Sequence, residues 1–125
     1  MTQEQKDLLL KDLCARLPYG VKVRYSSYYE FITCTLQAIN PVYNTIDLWS
    51  KDACFNPVFI DKIKPYLFPL SSMTDEQKTE EYKLMNSNFY TSTVELPDFY
   101  NKNHLDYRGL IPMGLAEDAT GKNIY

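Results

Sequence analysis

The first apolar residues of the chain recur every three or four positions, which is the spacing of an amphipathic helix. Thr2 and Gln5 have the spacing of a capping box at the start of this pattern. The pattern continues to Leu17, and a Pro-Tyr-Gly turn follows it. We therefore predict a first helix over residues 2–17.

Beyond this turn, apolar and polar residues alternate, which is typical of strands with one buried face. Val21, Val23 and Tyr25 alternate with Lys, Arg and Ser, and a longer tract rich in Phe, Ile, Thr and Leu follows. An Asn-Pro turn separates this tract from two shorter ones. The predicted strands are residues 20–26, 29–39, 44–49 and 58–63.

The second half of the chain has weaker patterns. Residues 64–72 carry two prolines and a continuous apolar patch, which predicts an extended and partly buried connector. A second capping box, at Thr74 and Gln77, begins a predicted helix over residues 74–86, whose paired acids indicate a solvated face. We predict a short third helix over residues 98–105 and an irregular tail after it.

These elements predict a single α+β domain over residues 1–125. We expect an N-terminal helix followed by a small curled antiparallel sheet or SH3-like open barrel, with one or two peripheral helices and an irregular C-terminal tail. Residues 1–72 would form the helix and barrel core, and residues 73–125 a helical and irregular extension. The apolar positions in phase with these elements, which we expect to form the main core, are Leu10, Leu13, Leu17, Val21, Val23, Ile32, Leu36, Ile46 and Leu48.

Composition agrees with one soluble domain and adds a bias toward tyrosine. The chain has 125 residues and a formal net charge of −3, so it lacks the general positive charge that nonspecific nucleic-acid binding requires. Eleven tyrosines stand against six phenylalanines and one tryptophan. Because tyrosine combines a large, stiff contact area with a polar tip, this bias favours a binding surface.

The sequence predicts a cytoplasmic protein without a membrane anchor. Its first residues do not have the pattern of a secretory signal peptide, and no apolar run approaches the length that spans a bilayer. The cysteines, Cys14, Cys34 and Cys54, are odd in number and far apart, which indicates reduced and mostly buried thiols.

Catalytic motifs are not found in the sequence, and we expect no enzyme activity, no cofactor and no metal. His104 is the single histidine, and although Asp106 follows two residues later, no nucleophile motif accompanies the pair. A structural or surface role is the favoured interpretation of His104. Zinc-ligand spacing and glycine-rich phosphate-binding motifs are also missing.

The tract from residue 24 to residue 30 is the strongest candidate for function. Arg24, Tyr25, Tyr28 and Tyr29 lie at a strand end and its loop together with two serines, a composition typical of antibody-like contact loops. The alternative is a hairpin whose tyrosines cover the end of the barrel. In a second version of the binding surface, Lys22 joins the tyrosines and Arg24, which would give an aromatic and basic platform for stacking bases.

Tyr107 and Arg108 form the next pair with the same chemistry as the tyrosine-rich tract. Interface hot spots are enriched in Tyr and Arg, so this pair is the second predicted contact site.

Three tracts of the chain carry a resemblance, and they are Lys11–Val23, Ile63–Thr74 and His104–Ile111, of which Ala15–Gly20 is the most distinctive part. Together they resemble small uncharacterised proteins from gut Bacteroidales genomes and their phages. The resemblance implies a phage or mobile-element origin and a role in binding a host protein, including components of CRISPR or nucleotide-signalling defence. That family has no assigned reaction, so the resemblance assigns no catalytic residue.

Three functions follow as hypotheses. The first is a non-enzymatic accessory protein that binds a host factor through a tyrosine-rich surface. The second is a small-barrel protein that binds RNA or single-stranded nucleic acid with Tyr25, Tyr28 and Tyr29, which the acidic net charge disfavours. The third is capture of a small signalling nucleotide at an oligomer interface. The sequence leaves the oligomeric state open.

Overall fold

The first helix, α1, spans Gln3–Arg16 in a computed structural model that describes residues 1–125. Both hydrogen bonds of the predicted capping box are present: the Gln5 amide donates to Thr2 Oγ1 over 3.1 Å, and the Thr2 amide donates to Gln5 Oε1 over 3.0 Å. A short 3₁₀ turn follows the helix, and Gly20 then reverses the chain with a positive φ of 68°. The predicted helix is confirmed to within one residue at each end.

Six strands form one open, mixed sheet. Every neighbouring pair is antiparallel except the fifth and sixth strands, which run parallel. The strands are β1 (Lys22–Ser26), β2 (Phe31–Asn40), β3 (Thr45–Trp49), β4 (Cys54–Phe59), β5 (Ile63–Leu67) and β6 (Glu117–Asp118). Their order across the sheet is β4-β3-β2-β1-β5-β6.

The α+β class is confirmed, whereas the expected barrel is not found. The edge strands β4 and β6 lie at opposite ends of the strand order and do not pair, so the sheet stays open. The sheet is also mixed and not purely antiparallel, because β6 comes from the tail and lies parallel to β5.

The first three predicted strands correspond to β1, β2 and β3, but the predicted fourth strand over residues 58–63 is wrong. Its two ends belong to β4 and β5, which a 3₁₀ turn at Ile60–Lys62 separates. Four of the nine residues of the predicted connector, residues 64–67, are therefore strand. Proline has no N–H group to donate to a second neighbouring strand. Pro65 is nevertheless accepted in β5, because it pairs only with Val23 of β1. Strand β6 pairs further along β5, at Tyr66 and Leu67.

Helix α1 covers one face of the sheet and forms the core with it. Leu13 and five of the expected strand residues are buried, but Leu10, Leu17 and Ile32 are only half-buried. Leu9 takes the place expected of Leu10, because the buried stripe of α1 runs one position earlier. The core residues are Leu9, Leu13, Val21, Val23, Cys34, Leu36, Ile46, Leu48, Val58, Ile60, Ile63, Leu67, Leu110, Leu115 and Ala116.

Two further helices follow the sheet strands. Helix α2 spans Asp75–Met85, and its capping box at Thr74 and Gln77 is formed as predicted. Helix α3 spans Leu96–Lys102 and follows directly on a π-helical turn at Thr91–Glu95. The tail after α3 contributes Leu110, Leu115 and Ala116 to the core that α1 and the sheet share, so it is packed and not peripheral.

The cysteines are free but are not mostly buried. Cys34 on β2 is buried, which raises the pKa of its thiol, whereas Cys14 and Cys54 are exposed. No helix of the structure has the length and apolar character needed to cross a membrane.

Candidate functional site

Tyr28 and Tyr29 form the tip of the hairpin between β1 and β2. A set of hydrogen bonds between Ser27 and Glu30 closes the turn: the Ser27 amide and Oγ both donate to the Glu30 carbonyl, over 3.0 Å and 2.9 Å. The two tyrosines between them are 100% and 98% exposed. Their rings lie 6.3 Å apart at 45°. We call residues 27–30 the tyrosine turn.

Tyr25 lies on the core face of the sheet and not with the other two tyrosines. It is half-buried, and its ring meets Phe55 edge-on with centroids 5.0 Å apart. Because side chains alternate along a strand, its neighbour Arg24 lies on the opposite face, which we call the outer face. The structure therefore divides the predicted set between two faces.

On the outer face, Arg24 is held by Phe31 and Glu117. Its guanidinium carbon lies 4.2 Å from the centre of the Phe31 ring, and Nη1 lies 3.1 Å from Glu117 Oε1. Lys64 and Lys122 also approach this carboxylate, at 4.0 Å and 3.7 Å. One acid thus offsets three cations, which reduces the positive potential of this face.

A hollow of about 270 Å³ lies beside the tyrosine turn. Its lining includes four residues of the predicted tract and one residue outside it: Tyr25, Ser26, Ser27 and Tyr28, together with Lys62. The sequence analysis did not identify Lys62. Lys62 directly precedes Ile63, which pairs with Tyr25, so its position follows from the strand pairing that the sequence analysis missed.

Exposed aromatic side chains also lie on the outer face of the sheet, where the sequence analysis proposed none. Phe31, Trp49 and Phe59 are exposed on β2, β3 and β4. Strand register places Trp49 beside Thr35 and Lys22 in one row across three strands. In the sequence, these aromatics are the outward members of the alternating pattern. The sequence does not show which face of the sheet a helix covers, so it did not predict that these side chains are exposed.

Tyr107 and Arg108 belong to a packed network and not to the tyrosine turn. The Tyr107 ring stacks on Tyr100 with centroids 5.0 Å apart and planes at 19°. Arg108 lies over the same Tyr107 ring at 4.7 Å, and its Nε lies 3.6 Å from Asp12 Oδ1. Both side chains are half-buried, so they present less contact area than Tyr28 and Tyr29.

The centre of this network is a buried ion pair on α1 that the sequence analysis did not identify. Asp12 and Arg16 are fully buried, with Arg16 Nε donating to Asp12 Oδ2 over 2.8 Å and Nη2 donating to the Leu105 carbonyl over 2.6 Å. Burial raises the pKa of Asp12, although the two arginines oppose that shift. The pair joins the N-terminal helix to the tail.

His104 lies at the other side of this junction, stacked on Tyr125 with ring centroids 3.8 Å apart. Tyr125 in turn bridges two strands: its hydroxyl accepts from the Lys22 amide and donates to the Tyr66 carbonyl. Burial, together with the charges of Arg16 and Lys22, lowers the pKa of His104 to about 4. This packing is consistent with the structural role favoured from the sequence.

We expect the free energy of unfolding to fall as the pH falls from about 6.5 to about 4, because unfolded His104 takes up a proton in this range and folded His104 does not. About 3 kcal/mol of stability should be lost by pH 4 through this residue, at about 1.4 kcal/mol for each pKa unit. His104→Asn keeps the positive φ of 57° accessible and removes the titration. Urea denaturation at several pH values should therefore give a flatter profile for the variant, and parallel profiles would contradict the lowered pKa.

Within the structure, no three His, Cys, Asp or Glu side chains lie close enough together to hold a metal ion. Comparison of the chain with protein families, with curated proteins and with solved structures finds no match. The function therefore has to be argued from the geometry of this chain.

Proposed function

We propose that this chain is a non-enzymatic accessory protein of a phage or mobile element, and that it acts by binding a host protein through the tyrosine turn. The single observation that carries this proposal is the complete exposure of Tyr28 and Tyr29 at the tip of a closed hairpin. A component of bacterial anti-phage defence is the class of host partner that the sequence resemblance favours.

The tyrosine turn has the physical properties of an interface anchor. A tyrosine contributes about 150–250 Å² of surface with only two side-chain torsions, so its immobilisation on binding costs little entropy. The bonds between Ser27 and Glu30 already fix the backbone that carries both rings. Less freedom is therefore lost when a partner covers them.

The hollow beside the turn extends this surface. Tyr25 and Tyr28 supply aromatic walls, and the Lys62 ammonium and two serines supply polar groups. Such a hollow suits one side chain of the partner that has an apolar stem and an acidic or carbonyl tip. Exposed anchors beside a small recess are the usual arrangement of an interface hot spot.

Nucleic-acid binding is the weaker candidate. The platform predicted from the sequence needs Arg24 and Tyr25 on one surface, but they lie on opposite faces of β1. Glu117 also offsets Arg24, Lys64 and Lys122. A steep loss of affinity with salt for a short RNA or single-stranded DNA would favour this candidate instead.

Stabilisation by cyclic nucleotides in a thermal-shift assay would favour capture of a signalling nucleotide.

Replacing Tyr28 and Tyr29 together with alanine is expected to weaken binding by more than about 2 kcal/mol, which is roughly thirty-fold in Kd, because both anchors are lost. The melting temperature should change little, since neither ring is buried. Affinity capture from a host lysate with mass spectrometry identifies the partner, and titration calorimetry then gives the Kd.

The matched control replaces Tyr43 and Phe59, two other exposed aromatics that lie outside the turn, with alanine. It should retain normal affinity. Normal binding by the Tyr28/Tyr29 variant would place the interface elsewhere, and unfolding of that variant would show that the turn is needed for the fold.

A further inference from the structure

The segment from the start of α2 to the end of α3 carries a charge equal to the net charge of the whole protein. Residues 74–102 contain six of the sixteen acids and three of the thirteen basic residues, so this segment has a formal charge of −3, equal to that of the chain. The remainder is electrically balanced. An acidic surface is therefore concentrated on α2, α3 and the segment between them.

A groove of about 440 Å³ lies between these two helices and the 3₁₀ turn after α1. Tyr19, Leu84 and Phe99 supply its apolar lining. Glu80, Glu95 and Asp98 also line it, and none of the three carboxylates takes part in an ion pair or a side-chain hydrogen bond. Lys102 also lines the groove, so three unpaired carboxylates stand against one lysine and the charge of the lining is −2. The groove thus combines an apolar surface with an excess of negative charge. We call it the acidic groove.

The segment that joins α2 to α3 leaves several large apolar side chains in water. Phe89 is 83% exposed, and it lies just before the π-helical turn at Thr91–Glu95. Exposed apolar side chains that are grouped, and not scattered singly, mark interaction surfaces. The exposed members of this segment and of α2 lie near the groove in sequence but do not line it; they are Tyr82, Met85, Phe89, Tyr90 and Val94.

We infer that the acidic groove binds an amphipathic helix of a protein partner, with leucine-like side chains on one face and lysine or arginine side chains beside them. A cleft between two helices accepts side chains from one face of a third helix. The three carboxylates would pair with cationic groups at its borders. The same carboxylates repel phosphate groups, so a nucleic acid is not the occupant. This inference does not depend on the tyrosine turn.

The test uses two fluorescent peptides of about 18 residues, made of leucine and lysine only, and the full chain. In one peptide the leucines share a helical face, and in the other the same residues are mixed around the helix. We expect the first peptide to bind at least ten-fold more tightly than the second, because only it presents an apolar face to the groove. Fluorescence anisotropy at several salt concentrations gives both affinities.

The decisive variant carries Glu80→Gln, Glu95→Gln and Asp98→Asn, and its matched control carries Glu4→Gln, Asp52→Asn and Asp61→Asn. Each set removes three exposed charges without breaking an ion pair. The groove variant should lose at least ten-fold in affinity for the one-faced peptide, and the control less than three-fold. Equal losses, or equal binding of both peptides, would overturn the inference.

The Tyr28/Tyr29 variant separates this inference from the proposed function. It should bind the one-faced peptide as the unmodified chain does, since the two tyrosines do not line the acidic groove. If the unmodified chain captures no host protein while the peptide still binds in its groove, the proposed function is wrong and the groove assignment stands. Loss of peptide binding in the Tyr28/Tyr29 variant would contradict the groove assignment.

Discussion

Replacing Arg16 with methionine is expected to lower the free energy of unfolding by about 3–5 kcal/mol, as for other buried ion pairs that lose one partner. Arg16 is fully buried and donates to Asp12 and to the Leu105 carbonyl. Without it, Asp12 would keep only the more distant Arg108 at 3.6 Å. Denaturation in urea, followed by circular dichroism, measures the loss.

The control for this prediction replaces both partners, as Asp12→Leu with Arg16→Met. Two apolar residues of similar size leave no uncompensated carboxylate, so the double variant should be more stable than Arg16→Met alone. If the loss in the double variant equals the sum of the two single losses, the pair is not coupled and the explanation is wrong.

Leu13→Ala is expected to cost about 2–5 kcal/mol, because it removes a fully buried side chain from the contact between α1 and the sheet. Leu10→Ala is the matched control. It makes the same chemical change on the same helix, but Leu10 is only half-buried and lies outside the core cluster. Its cost should be clearly smaller. Equal midpoints in denaturant for the two variants would show that α1 does not pack as described.

The sequence predicted those elements whose signals are local. The capping boxes at Thr2 and Thr74 are formed, and β1, β2 and β3 appear where the alternation predicted them. Strands β4 and β5 were misplaced because Pro57 and Pro65 argue locally against strands. Pairing of β5 with β1, which is set by distant parts of the chain, overrides that local preference.

The candidate site was predicted only in part, and for a related reason. Tyr28 and Tyr29 are at a turn, where exposure follows from local sequence, and they are exposed. Arg24 and Tyr25 are neighbours in sequence but lie on opposite faces of β1. Their proximity along the chain therefore does not bring their side chains into one site. Asp12 and Arg16 have the spacing of an ordinary surface pair, and only the tail that covers them makes them buried.

The hydrogen bond from Arg16 to the Leu105 carbonyl also has a consequence for folding during translation, because it cannot form before residue 105 has been synthesised. Helix α1 and strands β1 to β5 leave the ribosome first, but Arg16 and Asp12 lack the cover of the tail until the residues around Leu105, Leu110 and Leu115 emerge. At about 5–20 residues per second, that interval lasts several seconds. Until then this ion pair stays exposed to water, and the core contacts of Leu110 and Leu115 cannot form.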